Sequence, residues 1–358
     1  MKNLFNKLLF TLLVIVNKSL FSMNRLNKIV KHLDIHNSTV QNHQPSSIWQ
    51  EILRSGKDDI NLDQKIACYI QDCKKLTHEN SAIPFHQMNQ NTVRFATYNV
   101  HFWHGAGHGK SKQGNFENII KVIKKINADV IVLQEVVLSD KFDTIKLFEK
   151  MGYKYWAFCK TVNHGSFGNM LLSKYPIIKS VITKLFDADK KIKKQQRGFV
   201  NMRIQLPNNK AVSVYGTHLD VYDESENTRL AEIQELIEFT KQDKNQNIIV
   251  TADFNAVRKQ DYQYKINDKL VWDLVNKSNK SRFGINTPTK ALDELASESF
   301  VDSFTKSTIP GPKFTVWSGT VVDFIFLNKN WNLPISGCYV MYTSESDHIP
   351  VIMDVKVS

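Results

Sequence analysis

The chain has 358 residues, of which 42% are hydrophobic and 23% charged, with only four cysteines. This composition excludes a wholly disordered chain, a fibrous repeat and a disulfide framework, and no stretch reaches the roughly eighteen apolar residues of a membrane-spanning helix. Lysine and arginine exceed aspartate and glutamate by 12, a surplus that favours a polyanionic partner such as nucleic acid or a phosphate-bearing membrane surface.

The first 23 residues are typical of a targeting segment. Met1, Lys2 and Lys7 precede an apolar run from Leu8 to Val16, which is the order found in secretory and membrane-tethering segments. No small-residue cleavage site follows, so an amphipathic helix or a start at Met23 is an equal alternative. We expect secretion or membrane association through residues 4–16 if this is a targeting segment, and an intracellular protein otherwise.

Residues 24–91 form a second, polar segment with short helix-like patches at Ser47–Leu53 and Leu62–Ile70. Its richness in Asn, Gln, His and Ser predicts a helical or partly disordered appendage. Cys68, Cys73 and His78 resemble half of a zinc site, but the partner half is missing. Two cysteines on or near a helix are the better interpretation.

From Val93 onward, short β-branched runs predict a β-rich domain over residues 92–358. The predicted strands are Val93–Val100, Asp129–Gln134, Phe199–Ile204, Ala211–Thr217, Asn247–Thr251, Val322–Leu327 and Pro350–Val355. Two helices with one apolar face are predicted at Asn115–Asn127 and near Glu226–Lys241. The order is not a strict alternation of strands and helices, which favours two packed sheets with helices outside.

Polar residues at the ends of these strands are the most informative feature. The residues are Asn99, Glu135, His218, Asp220, Asp253, Asn255, Asp323, Asp347 and His348. Each one alone is explained by a local turn or a satisfied polar side chain. Their repeated placement at strand ends, where a rigid scaffold presents chemistry, is hard to dismiss and makes them candidate functional residues.

In their order, these segments resemble the endonuclease/exonuclease/phosphatase superfamily, the deoxyribonuclease I-like phosphohydrolases. Asp253-Phe254-Asn255 and Ser346-Asp347-His348-Ile349-Pro350 are the most diagnostic pieces, and Gly168–Ile177 resembles a third. The resemblance runs from about Val93 to the end of the chain. It implies an α/β four-layer sandwich of two packed β-sheets flanked by helices, and a metal-dependent phosphoric ester hydrolase.

The resemblance also implies a role for each site residue. Glu135 would bind Mg²⁺, with Mn²⁺ as a substitute, and Asn99 and Asp347 would complete the metal site. His348 would handle a proton or stabilise the phosphate, and the resemblance places Asp323 on its far nitrogen. Asp253 would position or deprotonate the attacking water.

The remaining residues would contact the substrate phosphate. Asn99 and Asn255 would donate hydrogen bonds to it or to the metal shell. His218 would assist the leaving group or bind a phosphate oxygen. Arg197 would clamp the phosphate with its fork of donors, the alternative being a surface arginine beside the basic cluster at residues 191–194.

The motifs define the reaction better than the substrate. His101 stands where the apurinic endonuclease branch carries an acidic residue, and Thr217-His218-Leu219 fits the broader branch. We therefore expect a phosphodiesterase acting on nucleic acid, as a nuclease or a tyrosyl-DNA phosphodiesterase-like enzyme. The alternatives are a phospholipid or inositol-phosphate hydrolase, and an inactive phosphate-binding module. No obligate protein partner is indicated.

One glycine-rich segment and the histidines around it resemble two other kinds of site, a phosphate-binding loop and a metal site. Gly107–Ser111 suggests a phosphate-binding loop, but His104 occupies the position of its first glycine. His101, His104 and His108 have a spacing compatible with a metal. Phosphate contact or loop structure is the better interpretation of these histidines than zinc.

Overall fold

The computed structural model describes residues 91–103, 112–138, 143–161, 166–179, 181–187, 196–266, 269–307, 314–316, 320–341, 343 and 345–357. The targeting segment, nearly all of the predicted appendage with Cys68, Cys73 and His78, and the loop with His104 and His108 lie outside these residues. The interpretations of those segments stay predictions. In the part of the chain that the structure describes, no helix is long and apolar enough to cross a bilayer.

The first sheet has six strands in the order β13-β14-β1-β2-β4-β3. Their bounds are β1 Thr92–Asn99, β2 Val130–Val137, β3 Tyr155–Lys160, β4 Phe167–Ser173, β13 Ile335–Val340 and β14 Val351–Lys356. β1 and β2 are parallel, whereas β14 runs antiparallel to β1.

The second sheet also has six strands, in the order β11-β12-β8-β7-β6-β5. Their bounds are β5 Ile182–Leu185, β6 Gly198–Gln205, β7 Ala211–His218, β8 Ile248–Asp253, β11 Val301–Asp302 and β12 Asp323–Leu327. β7 and β8 are parallel, and β12 runs antiparallel to β8. A two-stranded ribbon of β9 (Lys265–Ile266) and β10 (Lys269–Leu270) lies apart from both sheets.

Helices cover the outer faces of the two sheets. They are α1 Lys112–Ile126, α2 Thr144–Lys150, α3 Asn227–Gln242 and α5 Lys290–Ser297, while α4 Val271–Phe283 directly follows the β9–β10 ribbon. One apolar cluster, including Val132 and Val214, lies between the sheets, and α1 and α2 cover a second cluster against the first sheet. α3 and α5 bury a third against the second sheet. The predicted four-layer α/β sandwich is confirmed.

All seven predicted strands and both predicted helices are present, within a few residues of their expected bounds. The strands that the sequence did not indicate include all four at the edges of the two sheets: β3, β5, β11 and β13. Edge strands have one side open to solvent, so β3 mixes buried with more exposed residues and β5 has no fully buried residue. The four-residue β5 and the two-residue β11 are also too short to form the apolar run that marks a central strand.

Strand direction gathers the polar strand ends at one edge of the sandwich. Because β1 and β2 are parallel, their carboxyl ends at Asn99 and Glu135 lie side by side, as do those of β7 and β8 at His218 and Asp253. At Gly216 the sheets approach so closely that a Cβ atom would lie 2.5 Å from Val132 Cγ1. This glycine lets the two sets of strand ends meet.

Candidate active site

Asp253 lies at the centre of the cluster of polar side chains. Its Oδ2 accepts a hydrogen bond from Asn99 Nδ2 at 2.9 Å and lies 3.3 Å from His218 Nε2 and 3.5 Å from His348 Nε2. Burial would raise the pKa of this carboxyl, but His348, His218 and Asn99 outweigh burial and lower it. Asp253 is therefore a buried carboxylate at neutral pH, surrounded by groups from both sheets.

His348 and Asp323 form a buried pair. His348 Nδ1 lies 2.9 Å from Asp323 Oδ2 and 3.2 Å from Oδ1. Burial would lower the pKa of His348, but the carboxylates of Asp323, Asp253 and Asp347 outweigh it and raise the pKa well above its ordinary value. We place the shared proton on the imidazole because three carboxylates surround that ring.

Two hydroxyl groups that the sequence did not single out hold this pair. Thr315 Oγ1 accepts a hydrogen bond from the backbone N–H of Asp323 at 3.1 Å, where β12 begins. Ser346 Oγ donates to the Asn99 carbonyl at 2.7 Å and accepts from the His348 N–H at 3.2 Å. Ser346 could have been found from its place in the Ser-Asp-His segment. Thr315 has no sequence signal, because only chain folding brings it to β12.

Arg197 and His218 are in contact and both are buried. Arg197 Nη1 lies 3.2 Å from His218 Nδ1. Burial, followed by the Arg197 charge, lowers the pKa of His218 to about 3, so the ring is neutral. A guanidinium can only donate, so Nδ1 accepts and the ring proton resides on Nε2, facing Asp253. Arg197 is therefore neither exposed nor a surface arginine, as the alternative interpretation required.

Asn255 completes the group around His218. Its Nδ2 donates to the Leu219 carbonyl at 3.1 Å and lies 2.9 Å from His218 Nε2. With the ring proton on Nε2, both of these nitrogen atoms carry hydrogen, so the second contact is a close approach and not a hydrogen bond. Its backbone has a φ of 46°, in the left-handed region that a non-glycine residue seldom adopts. This conformation turns the chain after β8 and brings the amide back toward His218.

A local bulge directs Glu135 into the same site. The register between β2 and β4 shifts between Leu133 and Val136, and Glu135 has a φ of 57°. Such a conformation costs about 1–2 kcal/mol for an L-residue, and bulges re-aim side chains near active sites. Here it places Glu135 Oε1 4.0 Å from His218 Nε2, across the gap between the sheets.

The surroundings of Glu135 fit a divalent cation. Its Oε2 is buried and has no hydrogen-bond partner among the described residues. Burial, with the Asp347 and Asp253 charges, raises the pKa of Glu135 to about 7 against the opposing effect of His348. A buried carboxylate with this deficit of positive charge is a good ligand for a hard cation. Asp347 and Asn99 both lie close enough to influence the ionisation of this carboxyl.

A second trio also has metal-ligating atoms. The donor atoms of Asp253, Asp323 and His348 lie within 4.8 Å of one another. However, a protonated His348 already lies between those two carboxylates and supplies positive charge. We therefore favour Glu135 over this trio as the centre of a metal site.

Other predicted residues lie at the rim. The Asp347 side chain is 38% exposed, and its Oδ1 lies 3.4 Å from His101 Nδ1. This contact places His101 beside the site. Asp220, in contrast, accepts the backbone N–H groups of Tyr222 and Asp223, which is the local turn role of such residues.

Comparisons with known proteins show the family of this chain and its fold. A model of the family described as "Endonuclease/Exonuclease/phosphatase family" matches residues 96–348. Comparison with curated protein sequences gave no significant match.

Three similar solved structures share the fold. An endonuclease/exonuclease/phosphatase from Beutenbergia cavernae DSM 12333 is 15% identical, with a TM-score of 0.56 over 75% of this chain and 72% of that one. ANGEL2, described as a 2′,3′-cyclic phosphatase in complex with adenosine-2′,3′-vanadate, is 17% identical, with a TM-score of 0.54 over 75% and 97%. The catalytic domain of human Nocturnin with bound sulfate is 17% identical, with a TM-score of 0.55 over 76% and 95%.

Proposed function

Because the chain belongs to the endonuclease/exonuclease/phosphatase family, whose members are phosphoester hydrolases, we propose that it hydrolyses phosphodiester bonds in nucleic acid with a divalent metal ion, Mg²⁺ or Mn²⁺. The observation that carries this proposal is the convergence of His348–Asp323, Asp253 and His218 from both sheets at one edge of the sandwich. The catalytic region has a surplus of 8 positive charges, which suits a polyanion.

Asp253 would act on the attacking water. As a carboxylate at neutral pH it can accept a hydrogen bond or a proton from water and orient the oxygen toward phosphorus. The water oxygen then forms the new P–O bond while the bond to the leaving oxygen breaks. Asn255 and Asn99 would hold phosphate oxygens in place by donating hydrogen bonds.

His348 would supply positive charge and a proton. A protonated imidazole oriented by Asp323 can stabilise the charge that develops on the phosphate oxygens or protonate the leaving oxygen. His218 is neutral, with its proton on Nε2, so it is a hydrogen-bond donor rather than an acid. We therefore favour a phosphate oxygen over the leaving group as its partner.

The metal ion would be held by Glu135 with Asn99 and Asp347. When bound, it would neutralise phosphate charge and stabilise the leaving oxygen. Arg197, which the sequence suggested as a phosphate clamp, contacts His218 Nδ1. We propose that it acts through His218 by fixing the ring tautomer.

A substrate panel tests the proposed function. The purified protein would be incubated with plasmid, labelled single-stranded oligonucleotides, tyrosyl-linked oligonucleotide, poly(A), sphingomyelin vesicles and inositol phosphates, in Mg²⁺, Mn²⁺ or EDTA. We expect metal-dependent cleavage of at least one nucleic acid. The His348→Ala variant, prepared identically, controls for a contaminating nuclease. Turnover of lipid or inositol phosphate alone would favour those alternatives, and no turnover at all would favour a binding module.

A further inference from the structure

Two aromatic rings form an exposed surface beside the candidate active site. The Phe102 and Phe167 rings are stacked, with centroids 4.8 Å apart and planes inclined by 19°. Phe102 is 42% exposed, which is high for so large an apolar side chain. We call this pair the aromatic shelf.

The shelf adjoins the site on the side of the first sheet. Phe102 follows Asn99 by three residues, and its neighbour His101 lies 3.4 Å from Asp347. Phe167 pairs with Val137, two residues after Glu135. Because side chains alternate between the two faces of a strand, Phe167 lies on the same face of β4 as Asn169. Asn169 Nδ2 donates a hydrogen bond to the Gly198 carbonyl of the second sheet.

The backbone holds Phe102 outward at an energetic cost. His101, Phe102 and Trp103 have φ angles of 45°, 54° and 63°, three consecutive non-glycine residues in the left-handed region. Each costs about 1–2 kcal/mol. Trp103 anchors the segment by donating from Nε1 to the Val137 carbonyl at 2.8 Å. Burial of Trp103 stabilises this segment, but it does not account for the 42% exposed ring of Phe102, and a ligand for that ring does.

We propose that the aromatic shelf stacks against an unpaired base next to the scissile phosphate, so that the preferred substrate is single-stranded or locally unpaired nucleic acid. This inference rests on the proposed function. A flat apolar face complements the face of a base, and stacking on aromatic rings tolerates any sequence. In a duplex the bases are already stacked on one another, and exposing one costs a few kcal/mol. A lipid chain would instead require an apolar groove.

Steady-state kinetics on matched oligonucleotides test the shelf. Base–aromatic stacking contributes to the free energy of binding, so Phe102→Ala should raise KM on single strands about 5- to 100-fold. The change in kcat should be smaller. Phe102→Tyr keeps the ring and should remain close to wild type. Trp156→Ala is the matched control, because Trp156 is 40% exposed and pairs with Leu172 near the far end of β4. It should change neither constant.

A substrate with abasic residues flanking the scissile phosphate tests whether Phe102 acts through the base, because removing the ring and removing the base should then have the same effect on KM. Because it has no base to stack there, wild type and Phe102→Ala should show nearly equal KM values on it. A second measurement needs no turnover. In EDTA, the fluorescence of an oligonucleotide carrying 2-aminopurine at the flanking position should be quenched by the wild-type protein and not by Phe102→Ala. Phe167→Ala, checked for folding by its thermal transition, should reproduce the loss.

The outcomes separate the two proposals. If the wild type cleaves no nucleic acid, the proposed function fails, and the shelf with it. If it cleaves nucleic acid but Phe102→Ala keeps the wild-type KM and quenching, the shelf is overturned while the function stands. Equal kcat/KM on single strands and blunt duplexes would also overturn the shelf. A rise in KM confined to sphingomyelin vesicles would make these rings a lipid contact instead.

Discussion

Replacing Glu135 with glutamine should stabilise the metal-free protein while removing most of its metal-dependent activity. The pKa of Glu135 is raised from 4.5 to about 7 in the folded chain, first by burial and then by Asp347. The carboxylate is therefore less favourable in the folded than in the unfolded protein. The cost is fully present above pH 7, declines as pH falls and vanishes below about 4.5. At 1.36 kcal/mol for each pH unit it amounts to roughly 3 kcal/mol.

The measurement is thermal unfolding in EDTA at pH 8 and pH 5. At pH 8, Glu135→Gln should raise the Tm by an amount on the order of 5–10 °C for a domain of this size. At pH 5 the gain should fall to about a quarter of its value at pH 8. Adding Mg²⁺ should stabilise the wild type by mass action and the variant far less. Activity of the variant should recover partly as the metal concentration rises.

Asp354→Asn provides the control, since it is also a buried carboxylate but is paired. Its oxygen atoms accept from Arg94 Nε and Nη2 at 2.7 and 2.9 Å, at the opposite end of β14 from the site. Breaking such a pair is destabilising by about 3–5 kcal/mol. A lower Tm for Glu135→Gln in EDTA at pH 8 would refute the reasoning, because it would mean that the protein itself satisfies this carboxylate.

Four further predictions concern the proton held by His348, the tautomer of His218, the boundary of the catalytic region and the binding of a polyanion. His348→Ala should lose about 10²- to 10⁴-fold in kcat without rescue by metal, and Asp323→Asn should fall between it and wild type. Near-wild-type turnover of His348→Ala would contradict the proposed mechanism. Arg197→Met should lower kcat through the His218 tautomer with little change in KM, whereas a phosphate clamp would raise KM. A protein beginning near Asn91 should fold and retain metal-dependent activity on a soluble substrate; a folded but inactive product would show that the appendage completes the site. Nucleic-acid affinity, measured by fluorescence anisotropy, should fall steeply with salt, and a flat response would favour the lipid or inositol alternative.

The sequence by itself determined the central strands, the two principal helices and the polar residues at the strand ends. Central strands are buried on both faces, so β1, β7 and β8 are buried almost throughout, and their sequences are rich in the apolar and β-branched residues that reveal them. A polar residue such as Asp253 at the end of such a run is conspicuous for the same reason. Sequence resemblance then predicted that these ends belong to one phosphohydrolase site.

Only the tertiary structure decided how those residues act on one another. Thr315 supports Asp323 through a backbone hydrogen bond, and Arg197 sets the proton position on His218, yet neither relation follows from spacing along the chain. The exposed face of Phe102 likewise depends on three left-handed residues in succession. The physical reason is that pKa values and ring exposure depend on burial and on neighbours contributed by distant strands, which exist only after the two sheets have packed.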